Sequence, residues 1–244
     1  EGRLIRKALL SSEGSSLVDS DYSQIELRVL ASLSNDTYMI NAFADGLDIH
    51  RKTASEVFHT PYDEVSDELR SMAKAVNFGI VYGISDYGLS QNLNIPRKEA
   101  KTYIDNYLGH FQGIKKYMND IIHVGTEKGY VETLLHRRRY IPELKAKNFN
   151  IRSFGERIAL NTPIQGTAAD IIKIAMVGVY KELKKENLKA KLILQIHDEL
   201  VVDAPDEEVA EVCEIMKDVM DNALIMKVPL SVSMKTGKSL YETK

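Results

Sequence analysis

Two aspartates stand at the polar ends of short apolar segments, where a carboxylate can reach a ligand. They are Asp21 and Asp198, and Glu199 adds a third acid. Paired carboxylates at adjacent strand ends can hold two divalent ions about 3.5–4 Å apart, the arrangement used for in-line displacement at phosphorus. Oxygen ligands with substrate phosphates favour Mg²⁺, and His197 has no second histidine at the spacing of a zinc site. Taken singly, each aspartate is better explained as an ordinary turn or cap residue.

A second pattern is a stripe of two basic residues followed by two aromatics at four-residue intervals. Its members are Arg70, Lys74, Phe78 and Tyr82. Steps of four residues keep side chains on one slowly winding face of a helix. Basic groups on the phosphates and an aromatic ring under the base would suit a nucleoside triphosphate. An exposed charge pair followed by ordinary core aromatics is the alternative for this pattern taken alone.

The third feature is a basic stretch between His136 and Arg157. Seven Lys and Arg residues oppose two Glu residues there, and three aromatics are interleaved. This composition favours a nucleic-acid face, with a merely solvated hairpin as the alternative. Asn161 and Gln165 follow near a predicted helix start, where they would reach base edges or cap the helix.

Strands are predicted at both ends of the chain, with a long helical region between them. The predicted strands are 17–22, 229–235 and a hairpin of 192–196 with 200–202; a smaller hairpin is predicted within 130–144. The predicted helices are 24–33, 37–44, 50–58, 66–82, 96–111, 113–128, 151–160, 163–186 and 206–225. A break is expected at Thr162-Pro163, between two of these helices. The order predicts an α+β fold, a sheet domain interrupted by a helical insertion.

The composition is that of an ordinary globular protein. Of 244 residues, 44% are hydrophobic and 27% are charged, with a net charge of −3. These values exclude collagen-like, disordered and disulfide-scaffold classes, and the negative charge disfavours a protein that simply coats nucleic acid. The single cysteine, Cys213, permits no intramolecular disulfide and fits a reducing compartment. The sequence predicts no membrane span and no signal peptide.

Three ordered segments resemble motifs A, B and C of family A DNA polymerases, the bacterial polymerase I type. They are Asp21-Tyr22-Ser23-Gln24-Ile25-Glu26-Leu27-Arg28, the segment from Arg70 to Tyr82, and His197-Asp198-Glu199. The segment 162–170 is also similar to a family segment, and the resemblance covers essentially the whole chain. It implies a right-hand polymerase fold with an antiparallel palm sheet, a helical fingers insertion and no thumb.

The resemblance implies a role for individual residues. Asp21 and Asp198 correspond to palm carboxylates that hold two Mg²⁺ ions, for which Mn²⁺ could substitute, with the Tyr22 carbonyl as a further ligand. Glu199 is similar to an auxiliary acid. Lys74 corresponds to a triphosphate ligand that also protonates the departing pyrophosphate.

The implied nucleotide pocket selects deoxynucleotides. Glu26 matches a steric gate that crowds a ribose 2′-hydroxyl, and Phe78 and Tyr82 resemble residues that stack on the incoming nucleotide. The other implied contacts to the nucleotide are Gln24, Ile25, His50 and Arg70. The implied contacts to primer-template DNA are Arg157, Asn161, Gln165 and His197.

The implied activity is template-directed DNA synthesis in replication or repair, in which a primer 3′-hydroxyl attacks the α-phosphate of a dNTP. The implied domains are 1–60 and 151–244 as palm and 61–150 as fingers. Because the chain opens on Glu1 without a thumb-like stretch, we expect the missing regions on the same full-length chain. The implied location is the bacterial cytoplasm, at the nucleoid, or an organelle.

Two other function classes stay open. A metal-dependent nuclease or phosphatase would use the same carboxylates without needing the stripe, so dNTP binding by the stripe separates it from a polymerase. A non-catalytic fragment would bind DNA or nucleotide but turn over poorly for want of a thumb. Comparing this chain with a longer chain in the same primer-extension assay distinguishes a non-catalytic fragment from an active polymerase.

Overall fold

The computed structural model describes residues 2–243, with side chains from residue 4 onward. The chain forms two compact units. One comprises Glu1–Ile25 and Ala168–Lys244 and contains the larger sheet, so it is called the sheet unit. The other comprises Glu26–Thr167 and is called the helical unit.

The elements follow the predicted order of strands around a helical middle. In chain order the helices are α1 (Gly2–Ile5), α2 (Ile25–Ser34), α3 (Thr37–Ala44), α4 (Ile49–Phe58), α5 (Asp67–Val81), α6 (Asp86–Leu93), α7 (Arg97–His110), α8 (Gln112–Lys128), α9 (Phe149–Lys185) and α10 (Val209–Asp221). The strands are β1 (Ser15–Tyr22), β2 (Tyr130–Glu132), β3 (Arg138–Tyr140), β4 (Lys191–Ile196), β5 (Glu199–Pro205) and β6 (Val232–Gly237). The predicted α+β class is confirmed.

The sheet unit is built on a four-stranded antiparallel sheet in the order β4-β5-β1-β6. The central strand β1 pairs on both sides and is buried along most of its length, as its apolar residues require. Helix α10 packs against it through the buried Val212, Met216 and Met220. The Tyr22 hydroxyl donates to the Met220 carbonyl at 2.8 Å, which joins the end of β1 to this helix.

In the helical unit one buried carboxylate joins two helix starts. Asp36 is 2% exposed and accepts from the backbone N–H of Met39 in α3 at 3.0 Å. It also accepts from the backbone N–H of Gly113, in the first turn of α8, at 2.9 Å. A Cβ at position 113 would lie 2.7 Å from the Asp36 Cα, so the close approach requires glycine.

The predicted break at Thr162-Pro163 is wrong, because α9 runs through the proline without interruption. Proline removes one backbone donor inside a helix. Here the adjoining turn is supported from outside: the Thr167 hydroxyl donates to the Pro163 carbonyl at 2.6 Å and accepts from the Leu134 N–H at 3.0 Å. Leu134 lies in the connection between β2 and β3, whose antiparallel pairing confirms the predicted small hairpin. The hairpin therefore stabilises α9 next to the proline.

Other element bounds differ from the sequence-based expectation in ways that capping explains. The sequence analysis missed α6, which starts where the Ser85 hydroxyl accepts from the Gly88 N–H at 3.1 Å. The last helix is shorter than predicted, and the last strand begins later, at Val232. Of the helices that the structure describes between residues 2 and 243, none combines the length and apolarity that crossing a bilayer requires.

Replacing Asp36 should destabilise the helical unit, because one side chain satisfies the starts of two helices. Asp36→Ala leaves both N–H groups without this acceptor, and we expect a loss of about 2–3 kcal/mol in the free energy of unfolding. Ser85→Ala, which removes a single exposed cap, should cost about 1 kcal/mol. Urea unfolding followed by circular dichroism measures both, and equal losses would contradict the shared-cap interpretation.

Candidate functional site

The sheet places the two motif aspartates side by side at one end of β1 and β5. Antiparallel pairing sets Asp21 opposite Glu199, and Asp198 directly precedes Glu199 in the turn between β4 and β5. The Tyr22 N–H donates to the Asp198 carbonyl at 3.2 Å, which fixes the turn against the end of β1. The residues Asp21, Tyr22, Asp198 and Glu199 are called the carboxylate edge.

The electrostatics of the carboxylate edge favour a bound cation. The pKa of Asp198 is raised, first because the group is partly buried and second because the negative charge of Asp21 is nearby. Two like charges held together by strand pairing repel each other, and a divalent ion between them would relieve that repulsion. Within the described part of the chain, no three His, Cys, Asp or Glu side chains form a metal-binding group. Independently of that, a pair of carboxylates is the kind of ligand set with which Mg²⁺ is held when waters and phosphates complete the coordination.

The third acid has a partner that the sequence analysis did not identify. Glu199 is 3% exposed, and its Oε1 accepts from both Nη1 and Nη2 of Arg6 at 3.2 Å. The pair joins residues 193 positions apart, so no local pattern could have indicated it. Arg6 neutralises one of the three acids, which leaves the charge of Asp21 and Asp198 as the main attraction for a cation.

In the helical unit the first three residues of the predicted stripe lie on α5, and Tyr82 directly follows the end of this helix. Ser66 caps this helix by accepting from the Leu69 N–H at 3.2 Å, as its position before Asp67 predicted. Lys74 is exposed and Phe78 is half-buried. The rings of Phe78 and Tyr82 are nearly parallel, with centroids 6.4 Å apart.

Arg70 is held by an aspartate from the neighbouring helix. Its Nε donates to Asp48 Oδ2 at 2.7 Å. The other oxygen of Asp48 caps α4 by accepting from the N–H groups of His50 and Arg51 at 2.9 and 3.0 Å. Partial burial would raise the pKa of Asp48, but the hydrogen bonds from the Arg51 N–H and the Arg70 guanidinium outweigh it, so the pKa is lowered and the carboxylate stays charged. The sequence offered a signal for this residue, since Asp directly before a helix is a common cap.

His50 is nearly enclosed beside this ion pair. It is 3% exposed, its Nδ1 lies 3.1 Å from Asn77 Nδ2, and its ring centroid lies 5.8 Å from that of Phe78. Burial, aided by the positive charges of Arg70 and Lys74 against the opposing charge of Asp48, lowers its pKa to about 4. The ring is therefore neutral at physiological pH.

Glu26 is tied to the aromatic end of the stripe. The Tyr82 hydroxyl donates to Glu26 Oε2 at 2.8 Å. Glu26 lies in the first turn of α2, where the helix dipole favours a carboxylate. This bond fixes the position of the Glu26 side chain beside Tyr82.

The remaining predicted contacts divide between the two units. In the helical unit Arg157, Asn161 and Gln165 recur every four residues along α9. Arg157 lines an open pocket with Phe78 and Tyr82, Gln165 is exposed, and Asn161 Oδ1 is buried with no hydrogen-bond partner among residues 2–243. The sheet unit contains the other three predicted contacts. Gln24 and His197 have left-handed backbone conformations, and Gln24 is half-buried whereas His197 is exposed. Ile25 is buried.

Part of the predicted basic face is used within the protein. Arg138 pairs with Glu132 at 2.7 Å, and Arg137 Nη2 donates to the Gly166 carbonyl at 2.9 Å. Arg139 stays exposed and reaches the Thr162 hydroxyl only at 3.5 Å. The hairpin arginines thus support α9 as well as adding positive charge to this surface.

Comparison with known proteins gives a consistent result. Residues 1–242 match the family model of DNA polymerase family A. The chain is 58% identical to DNA polymerase I of Bacillus subtilis (strain 168) and 54% identical to DNA polymerase I of Geobacillus stearothermophilus, in both cases over 100% of this chain. It spans only 28% of the length of each of these two relatives.

A solved structure is also similar. It is the POL domain of Pol1 from M. smegmatis, in complex with DNA primer-template and dNTP. The match has a TM-score of 0.96 at 44% identity and covers 99% of this chain and 43% of that one.

The low pKa of His50 has a measurable consequence for stability. The unfolded chain takes up this proton near pH 6.5, whereas the folded ring does so only at about pH 4. The unfolded state therefore binds more protons in this window, and stability should fall as the pH drops from 6.5 to 4. Titration of ring signals by NMR checks the value, and a midpoint near 6.5 would contradict it. His50→Gln should weaken the pH dependence of urea unfolding between pH 6.5 and 5.

Proposed function

The chain belongs to DNA polymerase family A, and from that premise we propose that it transfers a deoxynucleotidyl group from a dNTP to a primer 3′-hydroxyl under the direction of a template. The observation that carries the proposal is the carboxylate edge, where strand pairing brings the motif aspartates Asp21 and Asp198 together. The role in replication or repair at the bacterial chromosome is part of the same proposal.

The proposed task of the carboxylate edge is to hold two Mg²⁺ ions. Asp21 and Asp198 would be the ligands, with the Tyr22 carbonyl as a further donor. When bound, the ions would activate the primer hydroxyl and stabilise the charge on the phosphoryl oxygens. The Tyr22 side chain is anchored in the core by its bond to Met220, so its contribution is from the backbone.

The proposed task of the stripe is to bind the nucleotide. Lys74 is exposed, with an ammonium group suited to contact phosphate and to donate a proton to pyrophosphate as it leaves. Arg70 is bonded to Asp48 only through Nε among residues 2–243, so its terminal nitrogens can form the planar pair of bonds that phosphate accepts. The stacked rings of Phe78 and Tyr82 offer a surface for the base.

The same proposal assigns the remaining residues. Glu26 would exclude the ribose 2′-hydroxyl, and Gln24, Ile25 and His50 would complete the nucleotide contacts. The primer-template contacts would be Arg157, Asn161, Gln165 and His197. We assign residues 1–60 and 151–244 to the palm and 61–150 to the fingers. A nuclease does not need two stacked aromatic rings next to two basic side chains, whereas a polymerase needs such a surface to bind a dNTP. We therefore prefer the polymerase.

Removing Asp198 should abolish synthesis. Asp198→Ala deletes half of the carboxylate pair, and loss of metal stabilisation worth several kcal/mol predicts a fall of at least about 10³-fold in rate. The measurement is primer extension with Mg²⁺ and dNTPs. Asp203→Ala, on β5 and bonded to Ser12, is the matched control and should retain activity. Extension that survives Asp198→Ala would refute the metal assignment.

Removing the proposed gate should admit ribonucleotides. Glu26→Ala opens the space beside Tyr82, and a contact of this size predicts a rise of about 10–100-fold in ribonucleotide use relative to deoxynucleotide. Tyr82→Phe keeps the bulk of both side chains but removes the hydroxyl bond to Glu26, so it should have a smaller effect. Competition between rNTP and dNTP in single-nucleotide insertion is the measurement. An unchanged ratio in Glu26→Ala would count against the gate.

A further inference from the structure

A buried polar cluster links α4 to α5 next to the proposed phosphate ligands. It consists of His50 and Thr53 on α4 and Asn77 on α5, which are 3%, 0% and 0% exposed. The Thr53 hydroxyl donates to Asn77 Oδ1 at 3.1 Å, and Asn77 Nδ2 lies 3.0 Å from Thr53 Oγ1. The same Nδ2 lies 3.1 Å from His50 Nδ1.

We propose that Asn77 is a positioning residue that sets the ring tautomer of His50, keeping Nδ1 as an acceptor and Nε2–H as the donor to the triphosphate. The inference rests on the proposed function, which makes His50 a nucleotide contact. It concerns Asn77 and Thr53, neither of which would contact the nucleotide directly.

The structure places the amide nitrogen of Asn77 toward the ring. Asn77 Nδ2 lies 3.1 Å from His50 Nδ1, and a ring nitrogen that accepts from this N–H must be unprotonated. Thr53 Oγ1 contacts both amide atoms, at 3.1 and 3.0 Å, and so holds the amide group in place. Full burial denies the amide any exchange of partners with water.

The tautomer matters because the ring is neutral. A charged imidazolium would donate from both nitrogens whatever its neighbour, but the groups around His50 keep it uncharged: burial, Arg70 and Lys74 outweigh Asp48. A neutral ring has a single N–H. If the proton were on Nδ1, the lone pair of Nε2 would face the triphosphate oxygens and repel them.

The other ring nitrogen is open to a ligand. Across residues 2–243, His50 Nε2 makes no hydrogen bond to the protein, although the ring is almost enclosed. The nearby charges include Arg70 and Lys74, which attract an anion. A triphosphate oxygen is the acceptor that fits this donor.

The first test reads the tautomer directly. In ¹⁵N-labelled protein at pH 8, the His50 ring signals should show a protonated Nε2 and a bare Nδ1. Asn77→Asp replaces the amide donor with an acceptor and should move the proton to Nδ1. Thr53→Val, which removes the hydroxyl that holds the amide in place, should give a mixture and serves if Asn77→Asp does not fold.

The second test measures binding of Mg²⁺–dATP by calorimetry. Loss of a hydrogen bond to a charged group predicts about tenfold weaker binding in Asn77→Asp. In a His50→Gln background, where the amide can donate whatever stands at position 77, the same change should weaken binding clearly less than in the wild-type background, because only the repulsion from the new carboxylate remains. Asn106→Asp, in the same unit and bonded to the Val57 carbonyl, controls for the general cost of an Asn-to-Asp change.

The outcomes separate this inference from the proposed function. A wild-type ring with its proton on Nδ1 overturns the inference, as does unchanged dATP affinity in an Asn77→Asp protein whose tautomer has switched. Wild-type protein that does not bind dATP refutes the proposed nucleotide site, while the ring signals still decide the tautomer.

Discussion

The antiparallel pairing of β1 with β5 is the interaction on which the proposed chemistry depends. It sets Asp21 opposite Glu199 and, through the bond from the Tyr22 N–H, beside Asp198. Nothing in the side chains themselves favours this arrangement, because like charges repel and because partial burial, with the charge of Asp21 added to it, raises the pKa of Asp198. The hydrogen bonding of the buried sheet holds the Asp21 and Asp198 carboxylates close together. Their combined negative charge attracts divalent cations to the carboxylate edge.

In the helical unit, several of the proposed nucleotide contacts are each held by a partner side chain. Asp48 holds Arg70 by one nitrogen, Tyr82 holds Glu26, and Asn77 contacts a neutral His50. Each bond fixes the position of a proposed nucleotide contact before any ligand arrives, which lowers the entropic cost of binding. Asn77 is tolerated in the core because its amide oxygen and its amide nitrogen both have partners.

The sequence predicted the features that depend on local order and missed those that depend on contacts between distant residues. The strands flanking Asp198, the Ser66 cap and the stripe on α5 follow from periodicity and capping, and all were confirmed. The intact helix through Pro163 could not be foreseen, because the support comes from the β2-β3 hairpin. The pairing of Arg6 with Glu199 was equally hidden, since 193 positions separate the two residues. Individual site roles rest on ordered motifs, and these stay predictions.

The most direct test of the central claim is to locate a divalent ion on the chain. Fe²⁺ bound in place of Mg²⁺ generates hydroxyl radicals with ascorbate and peroxide, and these cut the nearest backbone. If the carboxylate edge is the metal site, cuts should fall around Asp21 and Asp198, and excess Mg²⁺ or an Asp21→Asn change should suppress them. Cuts confined to other segments, or cuts at this edge that persist in Asp21→Asn, would contradict the assignment.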